Sequence, residues 1–126
     1  MGKGLLTVYN KRTGAPLGNQ VLLANNPLSR IKGLLGRRGL RAEEGLLIKP
    51  CSGIHTWFMR FPIDVAFLDR SGMVIAVRDS VPPFRMMPHV RGAYQALELP
   101  PGLLEASQVC PGDPLQFVEA GERPVL

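Results

Sequence analysis

The sequence predicts a β-rich α+β domain of about seven or eight strands with two short helices. Three observations carry that expectation. The 126 residues include 14 Gly and 12 Pro, about a fifth of the chain, which fits a fold with many turns and not a helix bundle. Short apolar runs rich in branched and aromatic residues alternate with these turn signals. Hydrophobic residues make up 45% and charged residues 20%, the balance of a soluble globular domain that buries one core without disulfides. The expected organisation is a single domain over residues 1–126.

The elements follow in order. Leu5–Tyr9 is a short apolar strand, Thr13-Gly14-Ala15-Pro16 a turn, and Gln20–Ala24 a second strand, together an N-terminal hairpin. Asn26 then caps a helix, and Pro27 occupies the first-turn position whose N–H has no partner. Leu28, Ile31, Leu34 and Leu35 recur at helical spacing and predict one apolar stripe, with Gly36 and Gly39 ending the helix. Gly45–Pro50 reads as a strand closed by proline. Ile54–Phe58 reads as an extended segment that Phe61-Pro62 interrupts. Ile63–Leu68 is a nearly continuous buried strand, Asp69-Arg70-Ser71-Gly72 a hairpin turn, and Met73–Val77 the returning strand. Val81–Gly92 is the longest irregular segment, with the length of a binding loop. Ala93–Leu99 is a further strand, Pro100–Ser107 holds a short helix, and Leu115–Glu119 is the last strand.

Charge is unevenly placed. Residues 1–42 carry eight basic side chains and no acid, whereas residues 43–126 carry seven basic and ten acidic ones. A basic third can meet an acidic partner, nucleic acid or an anionic surface. No Lys/Arg cluster is interleaved with aromatics, which weighs against nucleic acid. Placement off the helical stripe and toward a helix C-terminus explains much of the cluster without any ligand. Cys51 and Cys110 are too few for a disulfide framework. No apolar run approaches the ~20 residues of a membrane helix, and no signal-like segment develops at the N-terminus. The expected location is cytoplasmic, with reduced thiols.

The segments ANNPLSRIKGLLGRRGL, GLLIKPCSGIHTWFMRFPIDVAFLDRSGMVIAV, AYQALELPPG and GDPLQFV resemble the domain of unknown function 192 family, also called UPF0127. The resemblance spans roughly residues 6–120. It rests on an aromatic–Met segment followed by Pro-Ile-Asp, an apolar strand and Asp-x-x-Gly. It implies a small β-sandwich or β-barrel-like domain and no established reaction. Many relatives carry an export signal or lipid anchor. This chain departs from them, and its Cys-x-Gly-Ile-His-Thr-Trp spelling resembles the cytoplasmic branch.

The stretch Cys51–Asp64 concentrates the residues able to do chemistry. Cys51 and His55 lie four apart and supply two metal ligands, whereas a structural zinc site needs four and a catalytic one usually three. His89, Cys110, Asp64 and Asp69 sit at no characteristic spacing, so no metal and no cofactor is expected. Cys51 with His55 as base, oriented by Asp64, is the candidate catalytic set, provided the imidazole reaches the sulfur. In an extended segment His55, Trp57 and Met59 share one face, where imidazole, indole and thioether suit a small molecule or an extended peptide. Asp64 interrupts an apolar run and needs partners: backbone N–H groups, Arg60 or Arg91. Glu98 is either a second buried acid near Asp64, which would permit acid–base chemistry, or a solvated residue on the face of Tyr94 and Ala96.

The best-supported expectation is a non-catalytic binding module for an unknown small molecule or protein. Its site comprises His55, Trp57, Met59, Arg60, Asp64, Met87 and Arg91, with the Phe84–Arg91 loop as a lid. The alternatives are a small hydrolase using Cys51/His55 or a carboxylate pair, and a basic docking module for an acidic partner.

Overall fold

Leu5–Asn10 (β1) pairs antiparallel with Pro16–Ala24 (β2), so the expected hairpin forms with its second strand starting directly after the turn. The computed structural model describes residues 5–119. The remaining elements are Pro27–Lys32 (α1), Glu44–Ile48 (β3), Ile54–His55 (β4), Ile63–Leu68 (β5), Val74–Val81 (β6), Met86–Met87 (β7), Gln95–Leu99 (β8), Leu103–Ala106 (α2) and Leu115–Glu119 (β9). The fold is mainly β, as the sequence predicts. Seven strands form a mixed sheet in the order β6-β5-β8-β3-β2-β1-β9, and β4 pairs separately with β7.

The connection from β2 to β3 accounts for the mixed character. These strands run parallel, Val21 beside Gly45 and Leu23 beside Leu47, and parallel neighbours need a crossover. The crossover contains α1. Asn26 Oδ1 accepts the Ser29 N–H at 2.9 Å and Ser29 Oγ accepts the Asn26 N–H at 3.3 Å, a reciprocal capping box. The helix is shorter than its stripe predicts. Gly33 takes a positive φ of 47° as the C-cap, where a side chain would be strained. Leu28 and Ile31 therefore stay 81% and 74% exposed, and of the predicted stripe only Leu34 is fully buried.

Alternation along the strands sends side chains to two cores. Val21, Leu47, Ala66, Leu68, Leu97 and Leu99 gather on one face of the sheet. Leu46, Ile48, Ile63, Val65, Phe67 and Ala96 gather on the other. The sheet curls around the first face. The Val74 N–H donates to the Asp113 carbonyl at 2.8 Å, and the Leu115 N–H donates to the Gly72 carbonyl at 3.0 Å. These bonds bring β6 against the chain entering β9. Leu104 of α2 joins that interior, so the domain is barrel-like. Among the described residues, no helix is long and apolar enough to cross a membrane.

Asp113 anchors the closure. Its carboxylate accepts hydrogen bonds from the Arg12 guanidinium at 2.6 Å, Asn10 Nδ2 at 2.9 Å and the Cys110 N–H at 2.9 Å. The bond from Arg12 is the main reason its pKa is held down at about 2. Arg12 and Arg37, two members of the basic N-terminal third, thus have carboxylate partners in Asp113 and Glu44.

Candidate functional site

The second face of the sheet is covered by a thin layer: α1 and the residues after it, the β4–β7 pair, and the loops joining them. Cys51 begins this layer, its N–H donating to the Tyr94 carbonyl at 2.7 Å. Gly53 continues it at a point where a Cβ would overlap the carbonyls of Met87 and Pro88, so only glycine lets the two segments meet. Ile54 then pairs with Met87, and His55 with Met86.

The extended run predicted through Phe58 stops after His55. Phe58 has a positive φ of 66°, and the Met59 N–H donates back to the Thr56 carbonyl at 3.2 Å, so the chain turns. Buried Thr56 fastens this turn to the neighbouring loop. Its hydroxyl donates to the Pro82 carbonyl at 2.7 Å and accepts the Arg85 N–H at 2.9 Å. The turn breaks up the single face expected for these three residues, parting Met59 from Trp57. Met59 is buried in the second core, Trp57 is 42% exposed, and the His55 and Trp57 rings lie 5.6 Å apart. Met87, within the segment read as an irregular loop, is the short strand partner of Ile54.

Between this layer and the sheet lies a cavity of about 410 Å³. Ile48 of β3 and Glu98 of β8 form its floor, residues 30–35 one wall, and residues 50–55 the opposite wall, with Met59 and Pro88 completing the lining. Of the residues expected at a site, Cys51, His55 and Met59 line it. Trp57, Arg60, Asp64, Met87 and Arg91 do not.

Glu98 sits opposite Val65 of β5 and Leu46 of β3, on the face that carries the second core. It is 4% exposed, so of the two expectations the buried acid holds and the solvated residue does not. Its carboxyl has no hydrogen bond or ion pair among the described residues. Burial pushes its pKa up from 4.5 to about 7. Asp64 stands opposite Leu99, one residue out of phase, and so points to the other face. There it accepts the Ser80 N–H at 2.7 Å and the Leu104 N–H at 2.9 Å. The sheet therefore separates the two carboxylates and they form no catalytic pair.

Cys51 and His55 border one cavity without a hydrogen bond between them. The Cys51 thiol donates instead to the Gly53 carbonyl at 3.0 Å. Burial pushes its pKa up, and the Glu98 charge pushes in the same direction, while the Gly53 bond and Arg30 oppose them. A thiol in this setting is poorly ionised at neutral pH and a weak nucleophile. Iodoacetamide at neutral pH is thus expected to alkylate exposed Cys110 at least about tenfold faster than Cys51. Peptide mapping by mass spectrometry reads both rates, and equal rates would contradict the shielding of the half-buried Cys51 thiol. Among the described residues, no three His, Cys, Asp or Glu side chains converge as a metal site.

Residues 8–117 match the family DUF192, described as uncharacterized ACR. The chain belongs to DUF192. The family brings no reaction with it. Two solved structures share the fold. A protein of unknown function from Novosphingobium aromaticivorans DSM 12444 is 23% identical with a TM-score of 0.76, the match covering 89% of this chain and 83% of that one. A proposed transcription regulator from Sinorhizobium meliloti 1021 is 22% identical with a TM-score of 0.77, the match covering 90% and 92%. No curated protein matches the chain.

The cavity adds residues not expected at a site, Ile48 and the α1 wall from Arg30 to Leu35, and it sets Glu98, expected at a site only as a partner for Asp64, at its floor. A signal for Glu98 was present. It interrupts a strand whose other members are all apolar except Gln95, and a strand apolar on both faces is covered on both faces.

Proposed function

We propose that this DUF192 domain is a binding module whose cavity between α1 and the outer face of the sheet takes a small organic molecule. The observation that carries this reading is the Glu98 carboxyl, buried at the cavity floor with no partner among the described residues. No buried side-chain oxygen among the described residues is left without a partner, so the Glu98 oxygens open onto the cavity that the residue lines, and an ionised carboxyl held this far from bulk water gains from a polar partner there. Such a group, facing a cavity of mixed polar and apolar lining, is a recognition point for a ligand. Leu34, Leu35, Ile48, Ile54 and Met59 provide the apolar lining. Its volume falls within the ~300–1,000 Å³ range of small-molecule sites.

The test is an amide chemical-shift titration of the full chain with n-hexanol and hexanamide as neutral probes. Shifts are expected in residues 30–35, 48–55 and 98, with the barrel interior unmoved. Ser52→Trp, at a half-exposed wall position, is expected to remove those shifts while keeping the native dispersion of the spectrum. Ile48→Trp, which fills the floor, is expected to do the same. Either the absence of cavity shifts with both probes, or their persistence in both variants, overturns the assignment.

A further inference from the structure

Resting on the cavity as a binding site, we propose that its ligand is amphoteric: a small molecule with an amino group at Glu98, an apolar body, and an anionic group held at the mouth by Arg30 and Lys32. The charges of the lining are sorted by depth. Glu98 is the one acidic side chain among the lining residues, and it is 4% exposed at the floor. The lining cations of fixed charge, Arg30 and Lys32, come from the last turn of α1, where Arg30 is half-buried and Lys32 exposed. Neither has an ion-pair partner among the described residues. Leu34, Ile48 and Met59, each at most 7% exposed, supply apolar lining to the same cavity.

Each simpler ligand leaves one end unanswered. A monoamine satisfies Glu98 but passes a cationic mouth and leaves it unpaired. A monoanion suits the mouth but places apolar carbon against a buried carboxyl, which leaves the cost of burying that group in place. An amino group and an anion joined by an apolar segment match both ends and the walls between them. Glu98 binds an ammonium group as the carboxylate, so occupancy releases its proton whenever the free site holds one. Cys51, His55, Arg30 and Lys32 are the other ionisable side chains of the lining, and affinity for such a ligand rises with pH through the Glu98 pKa of about 7.

The experiment is a calorimetric titration of the full chain with ω-amino acids of four to eight carbons, beside the matching fatty acids, alkylamines and primary amides. The best ω-amino acid is expected to bind at least about tenfold tighter than the fatty acid or amine of its length, the effect of one added charge-assisted contact. Lowering the pH from about 8 to about 6 is expected to weaken it about tenfold. Glu98→Gln is expected to remove its advantage over the fatty acid, and Arg30→Gln with Lys32→Gln its advantage over the amine. Both surface substitutions leave the cores intact, so loss of folding does not confuse the result. A fatty acid or an amine that equals the ω-amino acid overturns the amphoteric assignment, and so does tighter binding at low pH. If amides alone bind, this inference falls and the cavity reading stands. If no probe in the set binds, both fall.

Discussion

Asp64→Ala is expected to lower the stability of the domain by about 3 kcal/mol, with a fall in Tm on the order of 10 °C. The Asp64 carboxylate is fully buried and its two oxygens are spent on backbone donors from two different elements. Ser80 lies in β6 at a positive φ of 47°, beside the irregular register between Ile63 and Val65, and donates to Oδ1 at 2.7 Å. Leu104 lies in α2 and donates to Oδ2 at 2.9 Å. Alanine leaves both N–H groups without their acceptor, and each charge-assisted bond is worth roughly 1.5–3 kcal/mol. Asp64→Asn keeps one acceptor oxygen and is expected to lose about half as much. Urea denaturation with an unchanged m-value measures the difference. A loss below about 1 kcal/mol for the alanine variant would show that these contacts do not hold β6 and α2 in place.

The second large effect concerns Glu98 and pH. Its pKa is raised by burial from 4.5 in the unfolded chain to about 7 in the folded one. Below about pH 4.5 the acid is neutral in both states and its contribution to stability is complete. Between about 4.5 and 7 the unfolded chain ionises while the folded one keeps its proton, so stability falls as pH rises. Above about 7 both states are ionised and the loss levels off, at about 3 kcal/mol in total. Glu98→Gln keeps the shape without the charge. It is expected to match the wild type near pH 4.5 and to exceed it by about 3 kcal/mol near pH 8. Denaturant midpoints across this range provide the check. A wild-type profile with no such decline, or a variant that declines equally, would remove Glu98 as its source.

Much of the barrel was legible because local and long-range requirements agree. Ile63–Leu68 reads as buried on both faces and is. Asp69 reads as a turn residue, and its side chain accepts the N–H groups of Ser71 and Met73. Asn26 and Pro27 open a helix as their chemistry requires. The misreadings arose where one residue overruled a pattern. Gly33 stops the stripe of Leu28 and Ile31 before it can be buried, and left-handed Phe58 folds back a segment whose composition suits a strand. Those two departures are what shape the cavity, since the first frees its α1 wall and the second turns Met59 into its lining. Cys51, His55 and Met59 were recognisable from their chemistry. Glu98 was legible as a buried acid but not as part of this cavity, because strand alternation names the side of a sheet and not what covers it.

The pairing of β1 with β9, Leu6 beside Glu119 and Asn10 beside Leu115, bears on how the chain is made. The first described strand finds one of its two neighbours only when the last has been synthesised, and the same late segment supplies the bonds that close β6. Until then a growing chain exposes two incomplete strand edges and the apolar interior between them. Non-local pairing of this kind slows folding, and unpaired edges invite association with other chains. Chains that stop short of β9 should therefore be held by chaperones or degraded, with the barrel closing only once β9 is free to pair.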